Sequence, residues 1–318
     1  MIGLIGIILS LVLLMYLAYR GITVLVLAPF LACLAVLFAG DLPLLATYTQ
    51  VFMSAAGRFV MTYFPLFLLG ALFGKLMDDS GSARAIAHGI VAKVGSERAI
   101  LAIVLACGIL TYGGVSLFVV VFAVYPFAAE LFRQAAIPKR LIPGTIALGA
   151  FTFTMMALPG TPQIQNIIPT AFFGTDSWAA PALGTIGSIL IFAGGMAYLE
   201  WRRRKAAVAG EGYGENLLNE PEPFVGERLA HPLVALLPLL LVGVSNKLFT
   251  DLIPRVYGAT HSFNPSSMGS AEPVVQEVSR VAAIWAVQGA LLVGILAVLI
   301  HHAFQAAEVR ARRRMGLD

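Results

Sequence analysis

The chain has 318 residues, of which 59% are hydrophobic and only 12% are charged, and its formal net charge is +4. Soluble domains carry about 25% charged residues, so this composition excludes a soluble globular protein. Several apolar runs are about 20 residues long, enough to cross a bilayer core of about 30 Å. The composition therefore indicates an all-α polytopic membrane protein whose partner is the lipid bilayer, and no nucleic acid is expected.

Apolar runs divide the chain into predicted spans and polar connections. The first run lacks a basic n-region and a cleavage site of small residues, which favours a retained helix over a signal peptide. The predicted spans are residues 2–18, 22–40, 59–74, 141–175, 182–199, 231–248 and 281–303. Residues 80–95 have the apolar spacing of an amphipathic interfacial helix. Residues 206–230 predict a cytoplasmic linker, and residues 249–279 predict an external loop.

A further apolar stretch, residues 99–132, is interrupted at its centre by Tyr112, Gly113 and Gly114. Backbone that leaves the helical conformation at bilayer depth is tolerated only inside protein or beside a water-filled cavity. In transporters such breaks lie where a polar ligand binds. We therefore interpret residues 99–132 as a re-entrant hairpin, and the chain as a transporter.

The distribution of Lys and Arg predicts the orientation. When successive connections are assigned alternately to the two sides, all but four of the 21 Lys and Arg fall on one side, which the positive-inside rule makes cytoplasmic. The exceptions are Arg58, Lys247, Arg255 and Arg280. The N-terminus is then outside and the C-terminus cytoplasmic, and we expect the protein in the cell inner membrane.

The same distribution favours a hairpin over two alternatives. A single crossing by residues 99–132 would invert every later connection and place the basic residues 202–205 outside, against the positive-inside rule. Two full crossings are also unfavourable, because a helix over residues 99–112 would be only about 21 Å long.

A second break lies at residues 157–166, within an apolar region that extends from 141 to 175. As one straight helix that region would be about 52 Å long, too long for a single crossing. Thr161 followed by Pro162 predicts the cap and first position of a new half-helix that runs toward Phe173. The free amide groups at its start would favour a carboxylate.

The hairpin tip offers similar chemistry, because glycine lets the backbone approach a ligand closely and Ser116 can cap the returning helix. Two convergent half-helix ends predict an anion site, and side-chain amides from the second break are expected to bind the hydroxyl of a small organic acid. The predicted substrate-binding residues are Thr111, Tyr112, Gly113, Gly114, Ser116, Gly160, Thr161, Gln163, Gln165 and Asn166. Either break alone is also compatible with a packing contact or a kink.

The predicted spans lack the residues that an intramembrane enzyme or a metal site would require. The predicted spans contain no HExxH motif, no paired Asp and no base near Ser116, so neither an intramembrane enzyme nor a metal site is expected. No Asp, Glu, Lys or Arg falls within the core of a predicted span, and no carboxylate relay for protons is visible. No cofactor is expected, the coupling ion stays open between proton and sodium, and an accessory membrane subunit remains the alternative.

Three stretches resemble the gluconate:proton symporter (GntP) family of the ion-transporter superfamily. They are FGKLMDDSG at 73–81, IPGTIA at 142–147 and LPGTPQIQNIIP at 158–169, and the last is similar to D-beta-hydroxybutyrate permease-like members. The resemblance implies an inverted-repeat fold and symport of small hydroxy-monocarboxylates such as 3-hydroxybutyrate or gluconate. It also implies a homodimer and an elevator movement of the hairpin-bearing part.

The chain departs from the family pattern in two ways. Gluconate-type members carry an acidic residue near the hairpin tip, which here is Thr111–Gly114, and this argues against gluconate and proton coupling. Residues 1–200 predict one complete repeat, 201–230 a linker, and 231–318 only two helices of a second repeat. The expected explanations are a truncated product, a separate chain that supplies the missing half, or completion of the site by oligomerisation.

Overall fold

The computed structural model describes residues 2–40, 42–214, 220, 230–264 and 273–314, with side chains for all of them except Phe118 and residues 302–314. Within these ranges the regular secondary structure is helical apart from one two-stranded β-ribbon. Contacts divide it into two compact units, residues 1–65 and 66–318.

The helices begin and end as follows. In chain order they are α1 (Ile2–Tyr19), α2 (Val24–Ala39), α3 (Leu44–Ala46), α4 (Met53–Asp79), α5 (Ser82–Val94), α6 (Ala99–Tyr112), α7 (Leu117–Gln134), α8 (Ile142–Ala150), α9 (Phe153–Met156), α10 (Ile164–Phe173), α11 (Pro181–Val208), α12 (Pro232–Tyr257) and α13 (Val278–Arg314). Among the described residues five helices are long and apolar enough to cross a membrane, or six if the bent α5–α6 pair counts as one span. The chain is therefore a multi-pass membrane protein.

The first unit contains α1 and α2, which pack in opposite directions. Gly6 permits their close approach, because a Cβ atom at this position would lie 2.2 Å from Cβ of Phe38. The chain then enters α3, which continues through a π-helical stretch, Thr47–Phe52, into α4. The span predicted at 59–74 is thus the central part of a longer helix.

The second unit contains the interrupted stretch. α6 ends at Tyr112 and α7 begins at Leu117, and the two helices contact one another, α5 and α8. Gly114 has φ +93°, a conformation in which other residues are strained. The helix predicted at 80–95 is α5, and the chain bends by 102° between α5 and α6.

The second predicted break separates α8 and α9 from α10. The predicted cap at Thr161 is wrong, since α10 begins at Ile164 and Gln163 occupies the N-cap position. Thr161 is fully buried and donates a hydrogen bond to the carbonyl of Thr154 at 2.7 Å, so its hydroxyl is not available to a helix start. Ser116 does stand at the N-cap position of α7, but its side chain makes no capping hydrogen bond there.

The last helices extend beyond the spans predicted for them. α11 continues to Val208, and the part of the predicted 206–230 linker at 215–219 and 221–229 lies outside the described residues. α12 and α13 pack antiparallel, with Gly294 so near α12 that a Cβ atom would lie 2.4 Å from Cγ2 of Val242.

The external loop predicted at 249–279 is wrong over most of its described part. α12 continues to Tyr257, and β1 (Thr260–Phe263) pairs with β2 (Val274–Glu277) in an antiparallel ribbon that leads into α13. Lys247 and Asp251 form an ion pair at 2.8 Å with the i,i+4 spacing that supports a helix, so these charges prolong α12 instead of ending it.

Several ion pairs lie between the end of α7 and the start of α8. Glu220 accepts hydrogen bonds from Arg133 and Lys139, and Glu211 accepts a bidentate pair from Arg140. The hydrogen bond from Lys139 lowers the pKa of Glu220, and the one from Arg140 lowers the pKa of Glu211. A carboxyl with a lowered pKa keeps its ion pair at neutral pH and loses it as the pH falls through that lowered value.

The contact of α6 with α8 predicts a sharp steric limit at Gly149. A Cβ atom there would lie 2.6 Å from the carbonyl oxygen of Val104 and from Cβ of Cys107, neither of which is a flexible side-chain end. We expect Gly149→Ala to lower the free energy of unfolding by about 2 kcal/mol, measured by thermal melting of the purified protein in detergent.

Gly194, on α11, is the matched control because a Cβ atom there would meet open space. Gly194→Ala should melt at or above the wild-type temperature, since alanine favours a helix over glycine. Equal melting temperatures of the two variants would contradict the described approach of α6 to α8.

Candidate functional site

The hairpin tip and the second break lie in direct contact. Nε2 of Gln163, which precedes α10, donates to the carbonyl of Thr111 at 2.7 Å and to the carbonyl of Val115 at 3.2 Å. The first of these carbonyls belongs to the last turn of α6 and also accepts from the backbone amide of Gly114 at 3.0 Å, and the second belongs to the tip. A side chain of one break therefore donates hydrogen bonds to the backbone of the other break.

Further side chains bind the second break itself. The hydroxyl of Tyr112 donates to the carbonyl of Pro159 at 2.8 Å. Nδ2 of Asn166 donates to the carbonyls of Thr161 and Ser177, both at 3.0 Å, and the amide of Gly160 donates to the same Ser177 carbonyl at 2.7 Å. Hydrogen bonds from the side chains of Tyr112 and Asn166 thus fix the non-helical backbone between α9 and α10.

A residue of α12 completes this arrangement. Asn246 is fully buried, and its Nδ2 donates to the carbonyl of Gly160 at 3.0 Å. Its Oδ1 is also buried and has no hydrogen-bond partner. α12 therefore takes part in the site through a polar side chain on its buried face, which also carries Ser245 and Thr250.

One cavity, of about 510 Å³, lies at the starts of α7 and α10, and we call it the tip cavity. Its lining residues are Leu66, Phe67, Gly70, Ala71, Gly114, Ser116, Leu117, Pro162, Gln163, Ile164, Gln165 and Leu291. The N-termini of two helices thus border the same space, and each carries partial positive charge from its free amide groups. This geometry suits an anion.

A second cavity, of about 530 Å³, lies on the other side of the tip, and we call it the lateral cavity. Its lining residues are Val104, Leu105, Gly108, Ile109, Tyr112, Gly113, Phe153, Thr154, Leu158, Trp178, Leu236, Leu239, Leu240, Gly243, Val244 and Lys247. Its walls are mostly aliphatic, and Lys247 is the single charged side chain among them.

The structure distributes the predicted site residues among three environments. Gly114, Ser116, Gln163 and Gln165 line the tip cavity. Tyr112 and Gly113 line the lateral cavity. The remaining four, Thr111, Gly160, Thr161 and Asn166, line neither cavity and hold the two breaks together through the hydrogen bonds described above.

Gln163 and Asn166 each use both amide hydrogens on backbone carbonyls. What they can still offer a ligand is the amide oxygen, an acceptor that suits a hydroxyl group and not a carboxylate. Among the described residues no group of three His, Cys, Asp or Glu side chains is arranged to hold a metal ion.

The sequence interpretation missed four residues near the site. Asn246, Lys247 and Asp251 lie inside α12, whereas the predicted span ended at 248 and was taken to have no charge in its core. Trp178 follows Ser177, and its ring lies beneath Nζ of Lys247 at 5.7 Å. The polar run Ser245–Asn246–Lys247 in an apolar region was the available signal.

The amide of Gln163 leads to a prediction about stability. Gln163→Leu removes a donor from the carbonyls of Thr111 and Val115, and the first of these keeps the amide of Gly114. The buried carbonyl of Val115 loses its side-chain donor, and a buried carbonyl without a partner costs about 1–3 kcal/mol. We expect the melting temperature of the purified protein to fall by an amount equivalent to about 2 kcal/mol.

Gln165 provides the matched control, since it is exposed in the tip cavity two residues away. Gln165→Leu should melt close to the wild type. A fall of similar size in both variants would show that the amide of Gln163 has no special role at the tip.

The sequence matches known proteins along most of its length. The family model described as GntP family permease matches residues 1–250. The protein named uncharacterized transporter YxjC of Bacillus subtilis is 51% identical over 323 aligned residues, which cover 99% of this chain and 67% of that protein. An uncharacterized transporter of Haemophilus influenzae is 34% identical over 115 residues, 35% of this chain and 24% of that protein. No solved structure shows a significant similarity.

Proposed function

Because this chain belongs to the GntP family of permeases, we propose that it is a secondary active transporter of small hydroxy-monocarboxylates, with 3-hydroxybutyrate and gluconate as candidate substrates. The family and the Bacillus relative make the protein a membrane transporter and not an enzyme. The substrate class and the symport mechanism are the proposed part.

One observation supports the proposed substrate class most directly. Two helices begin at the same cavity, α7 after the hairpin tip and α10 after the second break, and Ser116, Leu117, Ile164 and Gln165 line it. The free amides of two helix starts favour a carboxylate over a neutral or cationic solute. The amide oxygen of Gln163 is an acceptor for a hydroxyl on the same molecule.

The same geometry supports a coupled movement. The tip and the break share hydrogen bonds through Gln163 and Tyr112, so we propose that they move as one body when the site changes its exposure. In this proposal an elevator movement carries α6, α7 and α10 together across the membrane, within a homodimer in the cell inner membrane. The N-terminus is outside and the C-terminus cytoplasmic, and the coupling ion is a proton or sodium.

A second candidate function rests on the extent of the similarity. The alignment covers 67% of the Bacillus transporter, so about one third of that relative has no counterpart in this sequence. In this alternative the chain is an accessory or partial membrane subunit, and transport requires a separate chain or a further segment.

Uptake by cells that produce this 318-residue chain tests the proposal. We expect accumulation of labelled 3-hydroxybutyrate, lactate or gluconate above that of cells without the protein. Accumulation only when a longer relative is present would favour the accessory subunit. Accumulation of none of these acids in either case would overturn the proposed substrate class.

Substitutions at the two breaks locate the site. Gly114→Val places a branched side chain at φ +93°, with its Cβ 3.3 Å from Cγ of Pro162. Thr161→Val removes the hydroxyl that donates to Thr154. We expect both variants to reach the membrane in normal amount and uptake to fall to background.

Gly194→Val is the control for the added bulk, because the space beside Gly194 is open. Its uptake should stay close to that of the wild type. Undiminished uptake by Gly114→Val and Thr161→Val would show that the tip and the break do not form the substrate site.

A further inference from the structure

Lys247 and Asp251 are ionisable residues in the interior of α12, a helix that is long and apolar enough to cross a membrane. Lys247 lies about 22 Å along the helix from Pro232 and about 15 Å from Tyr257. Charged residues inside a span are costly, and those that occur usually face a protein interior or a watery cavity and mark the path of a substrate or ion. Their position therefore points to a function.

Two side chains lie close to the ammonium group of Lys247. Nζ forms an ion pair with Oδ1 of Asp251 at 2.8 Å and lies 5.7 Å from the ring centre of Trp178. Asp176 lines a third cavity together with Lys247 and Trp178. The side chain of Lys247 remains 51% exposed, so its ammonium group can exchange partners.

The lateral cavity connects this charge with the hairpin tip. It follows one face of α12 from Leu236 to Lys247, a distance of about 16 Å, and its opposite wall is α6 from Val104 to Tyr112. Nε1 of Trp178, another lining residue, is buried and has no hydrogen-bond partner. One end of an apolar cavity thus holds a cation and an unused N–H donor.

We infer that Lys247 and Trp178 form a second carboxylate subsite, distinct from the tip cavity, in which the substrate takes the place of Asp251 on Lys247. This inference rests on the proposed transport of carboxylates. The step exchanges one ion-pair partner for another and forms or breaks no covalent bond. The carboxylate accepts from Nζ of Lys247 and from Nε1–H of Trp178, and the hydrocarbon part lies against the aliphatic wall.

The wall also determines which acids fit. Apart from Lys247, only Tyr112, Thr154 and Trp178 among the lining residues carry polar side-chain atoms, and Tyr112 and Thr154 already donate to backbone carbonyls. Each hydroxyl that enters without a partner costs about 1–3 kcal/mol. The subsite therefore selects acids with a short hydrocarbon chain, such as 3-hydroxybutyrate or butyrate, over a polyhydroxylated acid such as gluconate.

Binding to the purified full chain tests this inference without transport. The chain has three Trp, and the Trp201→Phe, Trp285→Phe background leaves Trp178 as the fluorescent reporter. We expect butyrate and 3-hydroxybutyrate to change its emission and gluconate to bind at least tenfold more weakly. Lys247→Gln should raise Kd and the KM of uptake at least tenfold, Lys247→Arg should largely restore them, and Asp251→Asn should lower them.

Arg280, paired with Glu277 at the start of α13, is the matched control for loss of a cation. Arg280→Gln should leave Kd unchanged, and butyramide, which lacks the charge, should bind Lys247→Gln and wild type alike. A melting curve of each variant separates misfolding from loss of binding.

The outcomes separate this inference from the proposed function. Uptake and binding of no carboxylate by the wild type would overturn both. Uptake by the wild type with the same KM in Lys247→Gln and Lys247→Arg would overturn the subsite alone. A steady rise in affinity from butyrate to decanoate would identify the lateral cavity as a groove for lipid chains and would also overturn it.

Discussion

The hydrocarbon core of a membrane contains no water to bind the N–H and C=O groups of non-helical backbone, and this constraint shapes the second unit of the protein. The helices break at residues 113–116 and 157–163, and at each break carbonyl groups lose their helical partners. Gln163, Asn166 and Asn246 donate to these carbonyls through their side-chain amides, and Tyr112 does so through its hydroxyl. The non-helical segments can therefore exist inside protein, and their helix starts remain free to face a cavity.

Polar residues near the breaks therefore fall into two groups, those that hydrogen-bond the backbone and those that face the cavity proposed for the substrate. The polar side chains of Thr161 and Asn166 donate hydrogen bonds to backbone carbonyls, whereas Ser116 and Gln165 face the tip cavity. A sequence shows only that polar residues occur near a break. Which of them turn inward depends on partners elsewhere in the chain.

The positions of the helices and breaks followed from hydropathy and from glycine and proline. The start of α10 did not, because a Thr-Pro pair is a common cap signal and only tertiary structure shows that the hydroxyl of Thr161 is engaged with Thr154. The end of α12 was also missed, because a charged residue such as Lys247 usually marks the end of an apolar span. Here its i,i+4 ion pair with Asp251 lets the helix continue. The bond from Asn246 to Gly160 joins residues 86 positions apart and leaves no local pattern.

The ion pairs of Glu220 have a mechanical consequence. This residue belongs to the connection between α11 and α12, yet it binds Arg133 at the end of α7 and Lys139 ahead of α8. Ion pairs that water can reach contribute little to stability, because the solvent screens their charges. Any displacement of α7 relative to Glu220 must release these bonds, at a small cost. Glu220 thus holds the end of α7 and the start of α8 together only weakly.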